Sequence, residues 1–162
     1  MNLALDSTPI DVLIVSNGPG EVMSWVRPVV KALRSGIEAD CTKLRISVAL
    51  SPCPHASGQE TKILQGFPEV NRVQGPENFW AFFLWGKTAQ NWDWHPRGVV
   101  IFLGGEQFFA IAIAKRLGYK VVTYAEWTAR WLSWVDGCGL MNGRQLPQIP
   151  TRFQSKVRVV GD

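Results

Sequence analysis

Two runs of consecutive apolar residues, Val12-Leu13-Ile14-Val15 and Val99-Val100-Ile101-Phe102-Leu103, constrain this chain more than any other feature. A strand with one wet face alternates apolar and polar residues. A strand that is apolar at successive positions is covered on both faces, as in a parallel sheet between helix layers. Strand-like segments recur at Asp11–Ser16, Leu44–Leu50, Val70–Val73, Gly98–Leu103, Lys120–Tyr124, Gly139–Met141 and Lys156–Val160. Helices are expected between them, over Glu21–Arg34, Gly58–Gln65, Glu77–Gln90 and Gln107–Leu117, with a weaker one near Gln148–Gln154. Gly36 and Gly118 lie just past two of these, where a left-handed cap favours glycine. Strand and helix alternate throughout, so right-handed crossovers predict an α/β fold: a doubly wound, mainly parallel sheet of about seven strands with helices on both faces.

The 162 residues are 46% hydrophobic, enough for one real core and cramped for two, so a single domain over 1–162 is expected. Its longest uninterrupted apolar run, Phe79 to Trp85, falls far short of the roughly 20 residues of a membrane-spanning helix. The first residues lack the basic start and apolar stretch of a secretory signal, which points to a cytoplasmic chain. Cys41, Cys53 and Cys138 are odd in number and lack Cys-x-x-Cys spacing, as reduced thiols would. A formal charge of +4 suits an anionic partner without requiring one. Nucleic acid is not implied, because Arg27, Lys31 and Arg34 sit at helical spacing, as on a solvated face.

In such sheets ligands bind beyond the carboxyl ends of the strands, near the point where strand order reverses. The polar groups expected there are Ser16, Asn17, Glu21, Ser51, His55, Glu106, Glu126, Asn142 and Asp162. The loop Asn17-Gly18-Pro19-Gly20-Glu21 only partly matches a dinucleotide fingerprint, since Met23 takes the third glycine's place and no acid ends the second strand. Glu21 also occupies the positive helix end that a pyrophosphate would use. Gly104-Gly105-Glu106 places a carboxylate at the rim of the crevice, where a general base would stand; the same Glu could simply stabilise the start of the following helix. Glu126, Trp127 and Arg130 follow the fifth strand, with indole faces suited to sugar rings, to acyl chains or to ordinary packing. His55 has no second histidine at ligand spacing, and no metal site is expected. Neither a P-loop nor a nucleophile elbow occurs.

The stretch Asn78-Phe79-Trp80-Ala81-Phe82-Phe83-Leu84-Trp85 is apolar on every side of a helix, too much for one core-facing stripe. With Lys87 and Arg97 nearby, Phe79, Trp80, Phe83 and Trp85 are candidates for contact with a membrane surface, burial against a partner domain being the competing reading.

Taken in order, the Gly-Pro-Gly-Glu loop, the strand-end Gly-Gly-Glu with its helix ending Ala-Lys-Arg-Leu-Gly, the Val-Thr-Tyr-Ala-Glu-Trp strand and the final Arg-Val-Val-Gly-Asp resemble lipid-A-disaccharide synthase and its relatives in photosynthetic bacteria. The similarity runs through nearly the whole chain and covers the N-terminal half of that family's length. It implies the Rossmann-like acceptor-binding domain of an inverting GT-B glycosyltransferase, whose C-terminal domain, absent here, binds the UDP-sugar donor; no other cofactor is implied. The partners it implies are a lipid-linked acceptor, a donor-binding domain or second chain, and the inner face of the membrane. Glu106 matches the family's proposed catalytic base, although here it is Glu in place of Asp. Asn17, Gly18, Gly20, Glu21, Gly104, Gly105, Glu126, Trp127, Arg130 and Asn142 are the candidate substrate-binding residues. A complete active site is not expected in this chain alone. The alternative is a non-catalytic lipid- or partner-binding module with the same fold.

Overall fold

A computed structural model describes residues 8–161, so Asp162 lies outside the described residues. Its strands are β1 (Ile10–Ser16), β2 (Leu44–Leu50), β3 (Arg72–Gln74), β4 (Gly98–Phe102), β5 (Lys120–Ala125), β6 (Gly137–Leu140) and β7 (Val157–Val159). They form one sheet in the order β3-β2-β1-β4-β5-β6-β7, every neighbouring pair parallel. The α-helices are α1 (Pro19–Glu21), α2 (Arg27–Gly36), α3 (Glu60–Gln65), α4 (Phe79–Trp85) and α5 (Gln107–Leu117). A π-helical stretch, Val22–Val26, joins α1 to α2. The doubly wound fold expected from the apolar runs is therefore present.

Alternate residues of each strand feed two cores. On one face Ile14, Ile46 and Val48 pack against Val22, Val26 and Val30 of the first helical stretch and Leu64 of α3. On the other, Leu13, Val15, Val100 and Phe102 pack against Phe79 and Phe82 of α4 and Ile113 of α5.

Three local expectations need correction. Gly36 is the last residue of α2 and not a left-handed cap; Ile37 follows it at φ −111°. Gly118 does cap α5, at φ 70°. The helix expected to Gln90 stops at Trp85, because Gly86 turns left-handed at φ 72° and its N–H and that of Lys87 close on the carbonyls of Phe82 and Ala81. The expected helix near Gln148–Gln154 is replaced by two 3-10 stretches, Gly143–Gln148 and Thr151–Lys156, since Pro147 and Pro150 lack the amide hydrogens a continuous helix requires.

A polar network locks the amino edge of the sheet, opposite the candidate site. Asp11, fully buried, accepts from Arg45 Nε at 2.6 Å and its second terminal nitrogen at 2.9 Å, from the His95 backbone N–H at 2.7 Å and from the Tyr119 hydroxyl at 2.9 Å. Arg45 continues to Asp93 at 2.8 Å, and Arg72 donates to Ser47 Oγ and to the Asp93 carbonyl. Burial works to raise the Asp11 carboxyl, but the Arg45, His95 and Tyr119 hydrogen bonds overcome it and hold the group below its ordinary value. Burial first, and donation to Asp11 second, push the Tyr119 hydroxyl well above its ordinary range.

Candidate functional site

β1 is flanked by β2 on one side and β4 on the other, so strand order reverses between β1 and β4. The loops leaving their carboxyl ends meet there. Gly104 and Gly105 adopt φ of 124° and 92°, open to glycine and strained for any other residue. Space demands glycine as well: a Cβ on Gly104 would stand 2.7 Å from Glu21 Cγ and 2.9 Å from Asn17 Oδ1, and one on Gly105 2.8 Å from Ser51 Oγ. The glycines thus let the first two strand-end loops close against the fourth. Asn17 Oδ1 accepts from the Gly18 amide at 2.7 Å, and Ser16 Oγ donates to the Leu103 carbonyl at 2.7 Å.

Beside this junction lies a cleft of about 280 Å³ lined by Glu21, Trp25, Gly104, Gly105, Glu106, Gln107, Tyr124, Glu126, Trp127 and Arg130 among others. A second hollow shares Glu21, Trp25 and Glu126 with it and adds Gly20 and Ser24. The π-helical turn brings Trp25 onto the Tyr124 ring at 5.1 Å between centroids, forming the apolar wall. Such turns recur at functional sites, yet the helical spacing of the sequence contains nothing that distinguishes one from ordinary α-helix. Trp127 is 79% exposed at the mouth. Trp131 sits at φ 57°, an unusual conformation for a bulky residue, and leans on Phe108 at 5.7 Å. Gln145, missed by sequence reasoning because no motif marks it, is buried and donates from Nε2 to the Glu126 carbonyl at 2.6 Å, tying that loop to the turn after β6.

The electrostatics of the cleft follow from two helix starts. Glu106 is the N-cap of α5, and its Oε1 accepts from the Phe108 amide at 3.3 Å. Glu21 lies in the first turn of the helical stretch that follows β1. Both positive helix ends at the switch point are therefore occupied by this chain's own carboxylates, with Glu126 as a third acid on the cleft wall. Among the described residues no group of His, Cys, Asp and Glu could hold a metal ion. No family model and no curated protein matches this chain. Among solved structures, one reported as "Structure of MT0777" aligns at 8% identity over 96% of this chain and 86% of that one, with a TM-score of 0.46.

Of the residues singled out in the sequence, Gly20, Glu21, Gly104, Gly105, Glu106, Glu126, Trp127 and Arg130 line these hollows, while Asn17 and Gly18 build the turn beneath. Asn142 caps the 3-10 stretch after β6 through the Arg144 amide at 3.0 Å and lines neither hollow. His55 is exposed on the loop after β2. In the aromatic segment Phe79 is fully buried, so its assignment to membrane contact is wrong: its ring packs on Phe83 and Phe109. Phe83 is half-buried, whereas Trp80, Leu84 and Trp85 are exposed by 50%, 55% and 68%. Phe108, Trp131 and Trp134 add to the exposed apolar surface on the α5 side. No described helix is long and apolar enough to cross a membrane.

Proposed function

We propose that the cleft is the acceptor site of an inverting, UDP-sugar-dependent GT-B glycosyltransferase resembling lipid-A-disaccharide synthase, and that this chain is its acceptor-binding half. The observation that carries the reading is the pair of helix starts filled by Glu21 and Glu106 beside Glu126 and the exposed Trp127. Carboxylates repel phosphate and accept hydrogen bonds from hydroxyls, and an indole face packs on the apolar face of a sugar ring, so the cleft suits an uncharged sugar better than a nucleotide. The donor would be held by a second domain or chain. In the reaction an acceptor hydroxyl oxygen bonds to the donor's anomeric carbon as the bond from that carbon to UDP oxygen breaks. Glu106 takes the hydroxyl proton and UDP leaves with the bonding electrons. The capping bond from Phe108 to Glu106 favours the second reading, a non-catalytic lipid- or partner-binding module in which this Glu only starts a helix.

Octyl glucoside, titrated below its micelle concentration, tests the site. Trp127→Ala should weaken its binding about two- to twelvefold, the range for an aromatic contact worth about 0.5–1.5 kcal/mol. Unchanged affinity would remove Trp127 from the site.

The lipid-linked nature of the acceptor motivates peripheral membrane contact through Trp80, Leu84 and Trp85. Each apolar side chain fully withdrawn from water contributes about 1.5–3 kcal/mol, enough for a few of them to hold the domain on a bilayer without spanning it. Co-sedimentation with anionic vesicles at low salt should fall at least tenfold in Trp80→Ser/Trp85→Ser, with folding checked by circular dichroism. Equal sedimentation of the two folded proteins would refute the contact.

A further inference from the structure

The loop of residues 126–131, which leaves β5, is held at both ends in ways that stability alone would not select. At one end Gln145 is buried and donates from Nε2 to the Ala125 carbonyl at 3.4 Å and to the Glu126 carbonyl at 2.6 Å. Its Oε1, equally buried, has no hydrogen-bond partner among the described residues. A buried acceptor left unpaired costs stability, and an apolar side chain of the same length would avoid that cost. At the other end Trp131 stands at φ 57°, a left-handed conformation that a bulky residue keeps only where its surroundings impose it. Here they do. Its ring lies 5.7 Å from that of Phe108, its carbonyl accepts from the Trp134 amide at 2.7 Å, and Leu132, the next residue, is buried in the core with Val135. Between these two ends Glu126, Trp127, Thr128 and Arg130 line the cleft. Local choices that work against stability belong to a site's function when they converge on it.

We infer that Gln145 and Trp131 are positioning residues, which hold this loop in the geometry that presents Trp127 and Arg130 to the ligand of the cleft; the inference rests on that cleft being the acceptor site. Neither residue lines the cleft, so each acts through the loop. The two anchors reach different neighbours. Gln145 fastens the loop to the 3-10 stretch after β6, and Trp131 fastens it to Phe108, the second residue of α5 and the one whose amide Glu106 caps. Glu106 and Trp127 thereby keep a fixed relation before any ligand arrives. The left-handed turn also sorts the side chains, since Arg130 lines the cleft whereas Leu132, two positions on, is buried. A loop ordered in advance spares the ligand the cost of ordering it, and if that order is lost the apparent affinity falls with the fraction of chains still in the competent arrangement.

Two variants test the pair. Gln145→Met removes the donated bonds together with the unpaired oxygen, and Trp131→Gly removes the Phe108 contact together with the strained φ. In each a loss and a gain offset, so the melting temperature should stay within about 5 °C of the parent. Backbone order parameters of Trp127, Thr128 and Arg130, measured on the isotope-labelled chain without ligand, should fall from the rigid range near ~0.85 to below about 0.6, while those of β5 and β6 hold. Octyl glucoside should bind each variant about three- to tenfold more weakly than it binds the parent. Trp131→Phe, which keeps a ring for Phe108, should stay rigid and bind as the parent does. A loop that stays rigid in both variants would overturn the inference, as would a loosened loop that binds octyl glucoside with the parent's affinity. Unfolding of both variants would overturn it as well, by making the two residues supports of the fold. A parent that binds no octyl glucoside would defeat the acceptor reading instead, and the order parameters would then decide whether the pair holds the loop.

Discussion

Asp11→Ala should lower the stability of this domain by about 3–5 kcal/mol, the range for removing one partner of a buried ion pair. Asp11 is fully buried and serves four donors from three separate segments, so its loss leaves the His95 amide unpaired, Arg45 held by Asp93 alone and the Tyr119 hydroxyl held by the His95 carbonyl alone. Arg72, whose guanidinium is held below its ordinary range first by burial, loses one of its two compensating carboxylates, at 3.8 Å, and keeps Asp93 at 3.4 Å. A typical domain has about 5–15 kcal/mol in all, so the variant stands near the edge of folding. The pH dependence has a definite sign. The folded carboxyl lies below its ordinary 3.8, so its contribution is complete above that value and is lost as pH falls through the lower folded one. Asp11→Asn keeps an acceptor oxygen and should cost less at neutral pH while losing this acid limb. Urea denaturation of the three proteins between pH 7 and about pH 3 measures both effects. A loss below about 1 kcal/mol for Asp11→Ala would show the network to be dispensable.

The second large effect concerns chemistry. With the donor-binding half present, Glu106→Gln should slow glycosyl transfer about 10²-fold or more, because an amide cannot take the acceptor proton. The substitution isolates that role. A glutamine side-chain oxygen still accepts from the Phe108 amide, so the start of α5 keeps its cap and the melting temperature should stay within a degree or two of the parent. Turnover equal to the parent's would leave Glu106 as a helix cap alone and favour the non-catalytic module.

The fold was legible because β1 and β4 are apolar at successive positions, as strands between helix layers are; β1 is buried on both faces, whereas β4 leaves Val99 and Ile101 half-buried, and all seven expected strands are present within a few residues of their expected bounds. Ends were less legible. Gly86 falls inside the helix expected over Glu77–Gln90, and only its left-handed turn shows that α4 stops there. Phe79 and Trp80 are adjacent and equally apolar, but one is fully buried and the other half exposed, because the neighbouring Phe109 that covers Phe79 lies 30 positions along the chain. The strand-end rule found the cleft acids Glu21, Glu106 and Glu126, since position at a sheet edge is local information. It could not find Gln145, whose hydrogen bond to the Glu126 carbonyl spans 19 residues.

Mapping two probes on the isotope-labelled chain decides whether the switch-point cleft takes an uncharged sugar or a nucleotide. Octyl glucoside below its micelle concentration should move the amide signals of Glu21, Gly104, Gly105, Glu106, Glu126 and Trp127, while UDP at the same concentration should leave them in place. UDP shifts at those residues, with octyl glucoside silent, would make the cleft a nucleotide site and overturn its assignment to a sugar acceptor.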